Sequence, residues 1–158
     1  MTVNSYIDPK NSLFLYGLEN NFDFIASLYS SKKYPKILML SGEKGIGKFT
    51  LVSHFLNFFF EKKHYDLLNK NILNESLFYS QFKTNSFPNA IYLAGDNFKN
   101  VKIEDIRELK SKLLKTPILD SERFIILDDV ELFNINSLNA LLKIIEEPSV
   151  NNFFILIN

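Results

Sequence analysis

Four short runs of apolar residues stand along the chain, each bounded by polar residues, glycine or proline. They span residues 37–40, 90–93, 124–127 and 153–157. Short continuous apolar runs between turn signals are typical of strands that are buried on both faces, as in a parallel sheet. The sequence therefore predicts four buried strands, and the first of them is Ile37-Leu38-Met39-Leu40.

Between these runs, apolar residues recur at helical spacing. The clearest case is 102–115, which ends before Pro117 and carries four apolar residues on one face: Ile103, Ile106, Leu109 and Leu113. Similar patterns predict helices over 19–30, 48–62 and 136–147, and a poorly patterned helix over 66–83. Strands that alternate with helices indicate an α/β protein with a doubly wound parallel sheet.

A glycine-rich loop joins the first strand to the helix over 48–62. It contains the pattern Gly-x-x-x-x-Gly-Lys from Gly42 to Lys48. In such loops backbone N–H groups surround a phosphate, and the lysine reaches the outer phosphates. A glycine turn with a chance lysine is the alternative, but strand, loop and helix follow in the required order. The predicted phosphate site consists of Gly42, Gly45, Ile46, Gly47, Lys48, Phe49 and Thr50.

One position of this loop departs from the pattern. Phe49 stands where serine or threonine is usual. That hydroxyl normally holds a magnesium ion, and a phenyl ring cannot do so. The loop therefore keeps the phosphate cradle and lacks a metal ligand. The sequence predicts that ATP or ADP with magnesium binds weakly or not at all, and that turnover is weak or absent.

Two carboxylates follow the third apolar run. In phosphate-loop NTPases an acidic residue at this place positions magnesium, so Asp128 is the predicted metal residue when nucleotide is bound. Asp129 stands where such ATPases carry a glutamate that activates water, and its side chain is one methylene shorter. A small misplacement can be costly, so we regard Asp129 as a degenerate general-base position and assign no catalytic residue. The alternative is that the acidic pair forms a turn or a helix cap.

Composition excludes several classes of function. The 158 residues suffice for one domain with a core, and the net charge of zero does not favour a nucleic-acid or membrane partner. The chain has no cysteine, and His64 stands alone after the helix over 48–62, so no zinc site is predicted. No apolar run is long enough to span a membrane, and the N-terminus lacks the regions of a signal peptide. We therefore expect a cytoplasmic protein.

The residues after the acidic pair carry a resemblance to a known family. The segment Asp128-Asp129-Val130-Glu131-Leu132-Phe133 continues into Asn139-Ala140-Leu141-Leu142-Lys143-Ile144-Ile145-Glu146-Glu147-Pro148. This resembles the clamp-loader branch of the AAA+ family, whose members serve bacterial DNA polymerase III. Further likenesses lie at 13–17, 88–93 and 103–107, and the match runs from about residue 11 to the end.

The resemblance implies an AAA+ phosphate-loop NTPase fold with a parallel sheet flanked by helices. It implies a subunit of a hetero-oligomeric ring, with the other clamp-loader subunits as direct partners and with the sliding clamp and primed DNA reached through the complex. It also implies that Asn158 faces the gamma-phosphate and that the strand over 37–40 lies beside the fourth strand. The fifth strand, the lid, the collar domain and the arginine finger of the family lie beyond residue 158, so we expect 1–158 to be a partial AAA+ domain, truncated after the fourth strand.

Three functions were weighed against these features. The first is a structural or regulatory clamp-loader subunit with a degenerate ATP site. The second is a working clamp-loader-type ATPase, in which Thr50 or water replaces the missing hydroxyl and Asp129 activates water. The third, a small-molecule kinase, shares the loop but does not explain the segment 139–148. Phe49 and Asp129 are two independent departures in one site, so the first is favoured.

Overall fold

The computed structural model describes residues 11–95, 103–115, 117–119 and 121–158. These residues fall into two compact units. The first unit comprises 11–34 and Glu43–Phe87, and the second comprises Pro35–Gly42 and Pro88–Asn158. Among the described residues, no helix combines the length and the apolar character that a bilayer crossing requires.

Helices and strands alternate along most of the chain, as the sequence predicted. The elements are α1 (Glu19–Ser30), β1 (Ile37–Leu40), α2 (Lys48–Phe60), β2 (Tyr65–Asp66), β3 (Asn71–Ile72), α3 (Leu77–Lys83), β4 (Ala90–Ala94), α4 (Ile103–Leu113), β5 (Arg123–Asp128), α5 (Ile135–Glu146) and β6 (Asn152–Ile157). Short 3₁₀ turns occur at Lys62–His64 and Val130–Leu132.

The second unit contains a parallel four-stranded sheet in the order β1-β6-β5-β4. The predicted α/β class and parallel sheet are confirmed, and so is the position of β1 beside β6. Helices α4 and α5 contact each other and share a core with the sheet. That core is built from Ile106, Leu109, Leu113, Ile125, Leu127, Phe133, Leu141, Ile145 and Phe154.

The first strand is less buried than the sequence predicted. We expected β1 to be buried on both faces, but Ile37 is 40% exposed and Met39 is 55% exposed. Within the described residues β1 is the last strand of the sheet and pairs with β6 alone. Ile37 and Met39 are alternate residues and point to the same face of the strand. The expectation was wrong for this face, because an apolar run does not reveal what packs on each face of a strand.

In the first unit, α1 and α2 pack through aromatic rings. The three consecutive phenylalanines at the end of α2 point to three different neighbours, because successive helical residues are about 100° apart around the axis. Their closest ring contacts are Phe58 with Phe22 at 5.7 Å, Phe59 with Phe60 at 4.6 Å and with Tyr29 at 4.7 Å, and Phe60 with Phe87 at 4.7 Å and with Phe78 at 5.2 Å.

The helix predicted over 66–83 was wrong for most of its length. The chain forms the antiparallel pair of β2 and β3, and α3 begins only at Leu77. The Asp66 carboxylate explains the turn, because its Oδ1 accepts the N–H groups of Leu68 and Asn69 at 3.0 and 3.1 Å. A side chain that bonds its own backbone in this way competes with helix formation.

Helix α4 confirms the amphipathic pattern predicted over 102–115. Ile106, Leu109 and Leu113 are buried; residue 102 and the side chain of Ile103 lie outside the described residues. The end of the helix is held by the buried guanidinium of Arg123. It donates to the carbonyl oxygens of Lys112 and Lys115 at 2.9 and 3.2 Å and so satisfies acceptors that a helix end leaves unpaired.

Candidate functional site

The glycine-rich loop enters the first unit at Glu43 and leads into α2. Gly45 and Gly47 have φ angles of +87° and +96°, which residues with a side chain rarely adopt. Gly47 directly precedes α2, and no side chain caps the helix there. A helix N-terminus carries a partial positive charge and favours an anion. These backbone angles and the helix N-terminus are compatible with the predicted phosphate site, and phosphate binding stays a prediction.

Lys48 is the first residue of α2, and its side chain folds back over the loop. Its Nζ donates a hydrogen bond to the carbonyl oxygen of Glu43 at 2.8 Å. A lysine ammonium has three N–H donors, so it can keep this bond and also donate to a phosphate oxygen. The structure thus holds the Lys48 ammonium at the glycine-rich loop, and its contact with a phosphate stays a prediction.

Phe49 belongs to a stack of aromatic rings. Its ring lies parallel to that of Phe82 in α3, with centroids 5.9 Å apart and planes 7° apart. Phe82 stacks on Phe78 at 5.3 Å, and Phe78 stacks on Phe60 at 5.2 Å. We call Phe49, Phe82, Phe78 and Phe60 the aromatic column. The position that usually holds a magnesium ligand here contributes to the packing of α2 against α3.

Thr50 is the residue that the ATPase alternative uses in place of the missing hydroxyl. It is only 9% exposed, and it follows Phe49 in the first turn of α2. Adjacent helical residues point about 100° apart, so Thr50 and Phe49 face different directions. A role of Thr50 as a magnesium ligand stays a prediction.

Asn158 lies at the carboxyl end of the sheet in the second unit. Its backbone N–H donates to the carbonyl oxygen of Leu40 at 3.1 Å, and its Oδ1 accepts the hydroxyl of Ser41 at 2.8 Å. Ser41 is the residue that follows β1 and opens the glycine-rich loop. The structure therefore fixes the Asn158 amide beside the start of the loop. Its contact with a gamma-phosphate stays a prediction.

Asp128 is the last residue of β5 and therefore also lies at the carboxyl end of the sheet. Its Oδ2 accepts a hydrogen bond from the Tyr92 hydroxyl at 2.9 Å, and its Oδ1 accepts the backbone N–H of Asp129 at 3.1 Å. Each carboxylate oxygen thus already accepts a bond from the protein, which fixes its orientation. Its role as a magnesium ligand stays a prediction.

Asp129 initiates a tight turn. Its φ and ψ angles are 50° and 48°, in the left-handed region that aspartate tolerates better than most residues. Its carbonyl oxygen accepts the N–H of Leu132 at 2.9 Å, which closes the 3₁₀ turn. At Asp129 the structure therefore agrees with the alternative interpretation, in which the acidic pair forms a turn. A general-base role for its carboxylate stays a prediction.

Gly95, directly after β4, packs against this turn and has no room for a side chain. A Cβ there would lie 2.6 Å from the carbonyl oxygen of Asp129 and 2.8 Å from the Cβ of Leu132. Neither atom belongs to the mobile end of a side chain. We expect Gly95→Ala to lower the free energy of unfolding by about 1–3 kcal/mol, measured by urea denaturation.

The control for this substitution is Asn136→Ala at an exposed position of α5. An exposed change of this kind should alter stability by less than about 0.5 kcal/mol. If Gly95→Ala unfolds at the same urea concentration as the wild type, the close approach of β4 to the acidic turn is not as tight as described.

Sequence reasoning missed three residues that shape the site. They are Tyr92, which bonds Asp128; Gly95, which admits the acidic turn; and Phe82, which stacks on Phe49. No local pattern identifies them. Tyr92 is recognisable only once the register of β4 with β5 is known, and Phe82 only once α3 is placed against α2.

Comparison with known proteins identifies a family and similar proteins within it. The family model described as DNA polymerase III, delta subunit matches residues 17–158. The chain is 27% identical over 136 residues to the DNA polymerase III subunit delta' of Buchnera aphidicola. The aligned region covers 85% of this chain and 40% of that protein. It is 33% identical over 60 residues to the DNA polymerase III subunit delta' of Pseudomonas aeruginosa. This aligned region covers 38% of this chain and 18% of that protein.

A solved structure shares the fold. The crystal structure of a DNA polymerase III gamma subunit-related protein from Thermotoga maritima superposes with a TM-score of 0.57 at 20% identity, over 85% of this chain and 38% of that chain. This chain thus spans two fifths or less of the length of each of these relatives.

Proposed function

The chain belongs to the DNA polymerase III delta subunit family, and on that premise we propose that it acts as a delta-prime-type subunit of a clamp loader. In this role it joins other clamp-loader subunits in a hetero-oligomeric ring that places the sliding clamp on primed DNA. The two relatives named subunit delta' support the proposal, because one of them is similar over most of this chain.

The nucleotide site of this subunit is proposed to be degenerate. The observation that carries this part is the position of Phe49, whose ring stacks on Phe82 where a metal-binding hydroxyl is usual. The positive φ angles of Gly45 and Gly47 and the position of Lys48 at the loop support a phosphate cradle, so in this proposal ADP or ATP binds without being turned over. In this view the loop serves the architecture of a ring subunit, and hydrolysis belongs to its neighbours.

The test combines assembly with ATP hydrolysis. The full-length protein is mixed with the other clamp-loader subunits of its own organism, and complex formation is followed by size-exclusion chromatography with light scattering. ATP turnover is measured for the protein alone and in the complex. We expect a stable complex and, for the protein alone, fewer than about 0.01 turnovers per second, which is about a hundredfold below the slow end of ordinary enzymes.

Lys48→Ala provides the control. If the residual rate is a contaminant, this variant leaves it unchanged. Magnesium-dependent turnover near one per second that disappears in Lys48→Ala would show a working ATPase. Failure to enter a complex with any clamp-loader subunit would contradict the assignment to the ring.

A further inference from the structure

The side chains at the start of α2 do not fit a magnesium ion. We infer that the loop binds a nucleoside diphosphate or triphosphate in its metal-free form, and that magnesium weakens this binding. This inference rests on the proposed phosphate-binding role of the loop. Beyond that role, it specifies the ligand as a polyphosphate anion whose negative charge is not neutralised by magnesium.

The first reason is the chemistry at positions 49 and 50. Magnesium requires oxygen ligands in near-octahedral geometry. Phe49 offers an aromatic ring that is stacked on Phe82, and the hydroxyl of Thr50 sits on a residue that is only 9% exposed. The start of α2 therefore presents no accessible side-chain oxygen to a cation.

The second reason is electrostatic. The loop combines the ammonium of Lys48 with the N-terminus of α2, and both attract negative charge. Magnesium neutralises two charges of the polyphosphate and occupies oxygens that the loop would bind. Because Phe49 and Thr50 offer no accessible oxygen to the ion, the magnesium complex of ADP gains no ligand at the start of α2 and loses attraction to the loop. The metal-free anion is the better ligand.

The experiment is isothermal titration calorimetry of ADP into the 158-residue chain, once in EDTA and once in millimolar magnesium chloride at matched ionic strength. We expect the apparent dissociation constant to rise in magnesium, by about tenfold when nine tenths of the ADP is in its magnesium complex, which corresponds to about 1.4 kcal/mol. Inorganic pyrophosphate serves as a second probe, because it tests the loop without a base or ribose.

Three variants locate the effect. Lys48→Ala should abolish binding in both buffers. Phe49→Thr supplies the missing hydroxyl and should remove or reverse the penalty from magnesium. Phe49→Leu is the matched control, since it breaks the same ring stack without adding an oxygen and should keep the wild-type response to magnesium. If Phe49→Thr does not fold, the comparison of buffers for the wild type still decides the question.

Each result has one meaning. Tighter binding in magnesium for the wild type would overturn the inference, and so would equal binding in the two buffers. Absence of any ADP or pyrophosphate binding in EDTA would also overturn it, because the loop would then hold no anion. None of these results affects assembly with clamp-loader subunits, so the inference and the proposed function can fail separately.

Discussion

Replacing Phe82 with alanine is expected to remove about 3–5 kcal/mol from the free energy of unfolding. Phe82 is buried and lies in the aromatic column between Phe49 and Phe78, with ring centroids 5.9 and 5.3 Å away. Alanine would leave a cavity against both rings and would separate α3 from the first turn of α2. Since a domain of this size is stable by only about 5–15 kcal/mol, the loss is a large share of the total.

Urea denaturation followed by circular dichroism measures this loss. The matched control is Phe24→Ala on α1, where the ring is 62% exposed and little buried surface is lost. Phe82→Leu should cost less than Phe82→Ala because it retains most of the volume, and it remains measurable if the alanine variant is insoluble. Equal midpoints for Phe82→Ala and Phe24→Ala would show that the aromatic column does not stabilise the first unit.

Acidification from about pH 6.5 to about pH 4 is expected to remove about 3 kcal/mol of stability through His54 alone. Its imidazole is fully buried, with Nδ1 3.0 Å from the Tyr65 hydroxyl and Nε2 3.2 Å from the carbonyl oxygen of Ser12. Burial lowers the pKa of His54 from 6.5 to about 4, and the bond to Ser12 offsets only part of that shift.

The direction follows from which state binds the proton. Between these pH values the unfolded chain carries a protonated His54 and the folded chain a neutral one, so protons favour unfolding. The contribution of His54 is complete above the unfolded pKa of about 6.5 and is lost as the pH falls through the folded value of about 4. Between about pH 6.5 and pH 5 the expected loss is about 1.5 kcal/mol, and this window keeps the carboxylates, whose ordinary pKa values lie lower, largely out of the comparison.

His54→Gln and His64→Gln isolate this effect, because the chain has two histidines. The free energy of unfolding is measured at several pH values for both variants. The slope against pH should largely disappear in His54→Gln and persist in His64→Gln, whose imidazole is partly exposed beside Glu61. A slope that survives in His54→Gln would mean that another group takes up the proton. Lower stability of His54→Gln at neutral pH does not disturb the comparison, since the slope is the measured quantity.

The sequence alone determined the class of the fold and the order of its elements. Apolar runs and helical spacing predicted β1, β4, β5 and β6 and the helices between them, because burial in a parallel sheet and against its helices dictates those periods. The glycine spacing predicted a tight loop before α2, and Gly45 and Gly47 adopt backbone angles that favour glycine. Phe49 was already visible as the residue that lacks a metal ligand.

Only the tertiary structure decided which contacts the residues of the predicted site make. One face of β1 carries apolar residues that the described part of the chain leaves exposed, and the hydrogen bonds of Asp66 turned a predicted helix into a hairpin. Whether Phe49 faced solvent or a partner ring depended on where α3 lies, and the bonds of Asp128 depended on the register of β4. Contacts such as these form between residues that are distant in the chain. A local sequence pattern therefore cannot predict them.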